Sequence, residues 1–84
     1  MILTITQDDI DSGVRCHGKK CAAALAFARA FPNSRIYVYL GHTEVLDGYT
    51  VHVYRHSKEL NSFIQQFDLK KPVSPGEYEY EIKN

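Results

Sequence analysis

Tryptophan is absent from these 84 residues, methionine occurs once, cysteine twice and proline three times. Two cysteines are too few to staple a domain of this size, so the chain must stand on its hydrophobic core. At this length the core removes roughly 60–65% of the unfolded surface from water and leaves a narrow stability margin. Charge of one sign is also lacking: ten Lys and Arg balance ten Asp and Glu, so no global field draws the chain to nucleic acid or an anionic membrane. No apolar run approaches the ~18 residues that a bilayer span needs. The opening "MILTITQDD" has no basic region and reaches acid too early for a secretory signal. Glycine-rich phosphate loops, G-x-S-x-G and H-E-x-x-H are all missing. These absences lead to the expectation of one cytoplasmic domain over residues 1–84 that is not an enzyme, holds no cofactor and does not bind a membrane.

What is present reads as alternating elements. Residues 2–6, "ILTIT", form a β-branched run that predicts a strand. "TQDDIDSG" suits a single helical turn started at Thr6 or Gln7 and closed by Gly13, with acids on its positive end. Six alanines between Lys19 and Phe31 predict a helix that can lie close on a sheet, and Pro32 ends it. "SRIYVYLG", residues 34–41, is the strongest strand signal. Asp47-Gly48 predicts a two-residue hairpin turn pairing Leu46 with Tyr49, followed by a strand over 49–55. That turn leaves most of "IYVYL" unpartnered, so either the loop is wider or 44–46 forms a further short strand. Ser57 caps a second helix with Leu60, Phe63, Ile64 and Phe67 on one stripe. "EYEYEI", residues 77–82, is a last strand with Tyr78, Tyr80 and Ile82 inward and its glutamates outward. The order β-α-β-β-α-β predicts an α+β, ferredoxin-like antiparallel sheet with two helices on one face. Such a widely used fold says little about activity.

Two stretches carry chemistry. The first is Cys16-His17-Gly18-Lys19-Lys20-Cys21, "CHGKKC". As a zinc site it supplies at most three ligands where a structural site wants four. As a thiol or anion site it places Cys21 at a helix start with Arg15, Lys19 and Lys20 nearby, and both influences lower a thiol's pKa. The plainer reading makes Cys21 a small buried residue on the sheet-facing side of the helix and Cys16 a loop thiol. The second stretch, "IYVYLG", resembles the first ribonucleoprotein signature of RNA-recognition-motif domains, whose sheet aromatics stack bases. If helices cover Ile36, Val38, Leu40, Val51 and Val53, the open face shows Tyr37, Tyr39, Thr50, His52 and Tyr54. Against nucleic acid stand the zero net charge, the missing second signature and the glutamates of the last strand. Tyr37, Tyr39, His52 and Tyr54 therefore form the expected contact for a protein partner, since tyrosine is enriched at interfaces. A homodimer that hides the sheet fits the same pattern.

Finally, "ITQDDIDSGVR", "CAAALAFARA" and "FIQQFDLKKPVSPGEYEYEI" resemble a loose group of small bacteriophage and prophage proteins. These share an I-T-x-x-D-I-x-x-G opening, a cysteine at the start of an alanine-rich helix and an F-D-x-x-x-P-V-x-P-x-x-[FY] ending. The resemblance implies an accessory protein of the bacterial host cytoplasm. It implies action by binding a host or phage protein, as an inhibitor of a host process such as a defence system. The group supplies no activity and no catalytic residues.

Overall fold

A computed structural model describes residues 1–83. Five strands and three helices follow in the order β1 (Ile2–Ile5), α1 (Gln7–Ser12), α2 (Ala22–Ala30), β2 (Arg35–Val38), β3 (His42–Asp47), β4 (Thr50–His56), α3 (Lys58–Asp68) and β5 (Gly76–Ile82). α1 is the expected turn, and it is fixed by a capping box: Thr6 Oγ1 accepts from the Asp9 amide while the Asp9 carboxylate accepts from the Thr6 amide. α2 begins later than the sequence predicts. Lys20 and Cys21 both donate to the His17 carbonyl in a turn, and Cys21 stays extended as the residue before the helix. α3 is capped by Ser57 and buries Leu60, Phe63, Ile64 and Phe67, the stripe its spacing predicts.

The sheet corrects the ferredoxin-like expectation. Its order is β1-β5-β4-β3-β2 and every pairing is antiparallel. A split β-α-β arrangement needs parallel strands joined across a helix. Here β1 instead lies at an edge beside β5, and β2, β3 and β4 form a meander. The cause is β3, which is a full strand that pairs with β2 on one side and β4 on the other. This resolves the unpartnered "IYVYL". The hairpin turn is Gly48-Tyr49, closed by the Asp47–Thr50 pair, with Gly48 at φ +62° in the first central position. That is the position where a type II′ turn requires glycine.

One side of the sheet carries the core. Leu3, Ile5, Ile36, Val38, Val45, Tyr54 and Tyr80 are buried there with the alanines and Phe27 of α2 and the α3 stripe. α2 packs on β1 and β2, and α3 on β4 and β5. The register shows why the predicted faces fail. Leu46 pairs with Arg35 and with Val51, so Leu46, Val51 and Val53 all lie on the side away from the helices. Tyr54 and His52 belong to the helix side, opposite Thr43 and Val45. Leu40, expected among the covered residues, is 62% exposed in the β2–β3 turn.

Candidate functional site

The "CHGKKC" loop is a strap over a sheet edge. Val14 donates to the Lys20 carbonyl (2.8 Å), and the Val38 amide of β2 donates to the Gly18 carbonyl (2.8 Å). The loop thus occupies an edge position that would otherwise be open for pairing. Gly18 is required by proximity, because a Cβ there would stand 2.9 Å from the Val38 carbonyl oxygen. Cys16 sits at φ +58° and donates its amide to the Asp68 carboxylate at the end of α3 (2.9 Å).

The thiol and cation residues do not converge. Cys16, Cys21 and His17 line a shallow cleft of about 210 Å³ with Asp68, but Arg15, Lys19 and Lys20 are not in it. The Arg15 guanidinium lies over the Phe67 ring, 5.3 Å from its centroid, and the Lys19 ammonium over Tyr37 at 4.8 Å. Burial pushes the Cys21 thiol up, and the Asp68 carboxylate adds to this. The activated-thiol alternative is therefore set aside, and Cys21 is the small buried residue of the plainer reading, with its thiol protonated. Among the described residues no three His, Cys, Asp or Glu side chains are grouped to hold a metal ion.

The four residues expected to contact a partner also divide. Tyr37 is half-buried on the uncovered side beneath Lys19. Tyr39 is 46% exposed and stacks on His42, with ring centroids 5.0 Å apart. Tyr54 is core: it meets Tyr80 edge-on at 5.4 Å and packs on Phe31. His52 is half-buried on the helix side. Beside Tyr37 lies Glu44, which also pairs with Val53; Leu46 and Val51 make the next row, while Arg55 with Glu81, and beyond them Glu79 and Glu77, extend the uncovered side the other way. The Arg55–Glu81 pair there is long, at 3.4 Å, and exposed.

Two buried polar groups have no counterpart among the residues singled out from the sequence. Asp9, 4% exposed, receives both Arg29 terminal nitrogens at 2.9 and 2.8 Å. Burial alone would raise its pKa, but Arg29 and the Thr6 amide outweigh this and hold it below the usual carboxylate value. His56 joins three elements. Its Nε2 lies 2.6 Å from Thr43 Oγ1, and its Nδ1 lies 3.4 Å from Asn61 Oδ1, which also accepts the Gly41 amide at 2.7 Å. Because the Asn61 oxygen can only accept, Nδ1 carries the proton and Nε2 accepts from the Thr43 hydroxyl. Hydroxyl, imidazole and amide oxygen stand in the order of a nucleophile, base and orienting group. Thr43 is nonetheless 0% exposed, so no substrate reaches it and the trio acts as a core clamp. A correct strand register is the only signal that finds it.

Compared with known protein families, curated proteins and solved structures, the chain has no match. No helix of the described residues is long and apolar enough to cross a membrane.

Proposed function

We propose that the chain works by binding a protein through the uncovered face of its sheet. The observation that carries this reading is the face itself. Leu46, Val51, Val53 and Tyr37 form an apolar group on strands β2–β4 around Glu44, with Arg35 and Arg55 beside it and the β5 glutamates towards the far corner of the face. Apolar and aromatic side chains interleaved with charged ones suit a recognition surface. The phage-protein resemblance adds the kind of role: an accessory protein that takes a host protein as its target and blocks a process such as defence. The contact residues of this reading are Tyr37, Leu46, Val51 and Val53, with Tyr39 at the margin.

The test is affinity capture from bacterial lysate with the tagged chain and with its Val53→Asp variant in parallel. One protein retained in stoichiometric amount by the first and lost by the second is the expected result. Equal capture by both removes the face from the mechanism.

Single-stranded nucleic acid is the second reading, favoured by the Tyr39–His42 stack and the Lys19–Tyr37 contact on that side. Glu77, Glu79 and Glu81 oppose it, because they set carboxylates where phosphates would run. Absorbance at 260 nm in the eluate, removed by salt, would transfer the proposal to that ligand.

A further inference from the structure

We propose that the open stretch of the β2 edge captures the C-terminal end of another protein, as an extended tail with its free carboxylate at Lys19. The site lies beside the uncovered sheet face and stands whether or not a protein binds that face.

The backbone of β2 sets the site. In an antiparallel pair, alternate residues turn both backbone groups towards the same neighbour. The Tyr39 amide donates to the His42 carbonyl at 2.9 Å, so Arg35, Tyr37 and Tyr39 bond to β3. The Val38 amide donates outward to Gly18, so Ile36 also turns its N–H and C=O outward. β2 is the last strand of the sheet, and no other backbone group of the described residues bonds to that pair. Beside them is a cleft of about 240 Å³, lined by Lys19, Ala28, Ser34, Arg35, Ile36 and Tyr37. α2 contributes only Ala28, an exposed methyl group that leaves room along the strand.

An open edge takes an extended peptide as an added strand. Here the strap limits the addition. Gly18 already holds the position beside Val38, so an incoming strand stops about one residue beyond Ile36. A chain terminus meets that limit without a turn. The Lys19 ammonium, over the Tyr37 ring at 4.8 Å, stands at the stop and selects the negative terminus over the positive one. A tail that ends there runs parallel to β2. In a parallel ladder the Ile36 amide donates to the carbonyl of the third residue from the end, and the Ile36 carbonyl accepts the amide of the last.

Register then sets the preferred tail. The penultimate residue lies beside Ile36 with its side chain towards Ala28, where a small group fits. The residue before it lies beside Arg35 on the uncovered side, where a carboxylate suits. Neither Lys19 nor Arg35 has an ion-pair partner among the described residues. Glu44, opposite Tyr37 on β3, instead meets His42 at 3.6 Å.

Backbone amide chemical shifts, followed during titration with the tetrapeptide acetyl-Thr-Glu-Ala-Val, test the site. Shifts that saturate below about 5 mM peptide and centre on Lys19, Ile36 and Tyr37 are the expected result. The same peptide with an amidated C-terminus binds at least about tenfold more weakly, because its terminal charge is gone. Ala28→Phe fills the cleft and abolishes binding, while a dispersed spectrum reports that the fold survives. Arg35→Glu reverses the preference towards acetyl-Thr-Lys-Ala-Val. Val53→Asp, on the sheet face, leaves the titration unchanged, so failure of the face and failure of this edge are read separately. No shift up to about 5 mM peptide overturns the site. Equal binding of the amidated peptide overturns it too, as do equal shifts of the same amides by acetate, which reduce the cleft to an unspecific anion contact.

Discussion

His56 is the residue whose chemistry most constrains the fold. Burial disfavours its charged form and holds its pKa below the ordinary 6.5, even though the bond to Asn61 pulls the other way. The charged groups around it are few: His42 on β3 also lowers it, and no carboxylate touches the ring. A histidine whose folded pKa is depressed binds its proton more readily when unfolded. Its contribution is therefore complete above pH 6.5 and is lost progressively as pH falls from there through the lower folded value. Asp9 behaves as a depressed carboxylate, with its contribution kept above the ordinary 3.8 and lost below it. Urea midpoints measured from pH 8 to pH 3 should show two acid-side declines. In His56→Gln the upper one should vanish; if it persists, another group titrates there.

At the scale of elements, helices are the most legible part of the sequence. Leu60, Phe63, Ile64 and Phe67 recur at one helical spacing, and α3 buries all four. The alanine run of α2 has an equally plain meaning, and only its start differs, because the Lys19–Cys21 turn resembles helix in composition. Strand faces are less legible. β4 alternates valines with His52, Tyr54 and His56, and either set can face a core. Hydrophobicity favours the valines, whereas pairing through β3 selects the others. Tyr54 and His52 therefore turn towards the helices, while Tyr37 stays on the uncovered face. The energetic consequence is a clean contrast between neighbours. Tyr54→Ala removes a ring packed on Tyr80 and Phe31 and should cost about 3 kcal/mol. Val53→Ala, on the uncovered side, should cost under about 1 kcal/mol. Equilibrium unfolding of the two variants checks the register, and equal losses would contradict it.

For the molecule as a whole, two hydrogen bonds between Met1 and Tyr80 join opposite ends of the described chain, the Tyr80 amide donating to the Met1 carbonyl at 3.0 Å. The Met1 ammonium donates to the Tyr80 carbonyl, 79 residues away, and β1 follows it along β5. The β2–β3–β4 meander is local by comparison, closed by a turn at Gly41 and another at Gly48. Short loops close at lower entropic cost than long ones, so this architecture sets an order of assembly. The meander should form early, with α3 and β5 docking on it and β1 arriving last. Pulse-labelled hydrogen exchange during refolding would then protect the amides of β3 and β4 before that of Leu3, and simultaneous protection would refute the order. Until β1 docks, β5 has a bare edge in a nascent sheet, and a β1 from another molecule fits there as well as its own. Strand exchange between chains is thus the characteristic misfolding hazard of this topology, and dilution during refolding is its remedy.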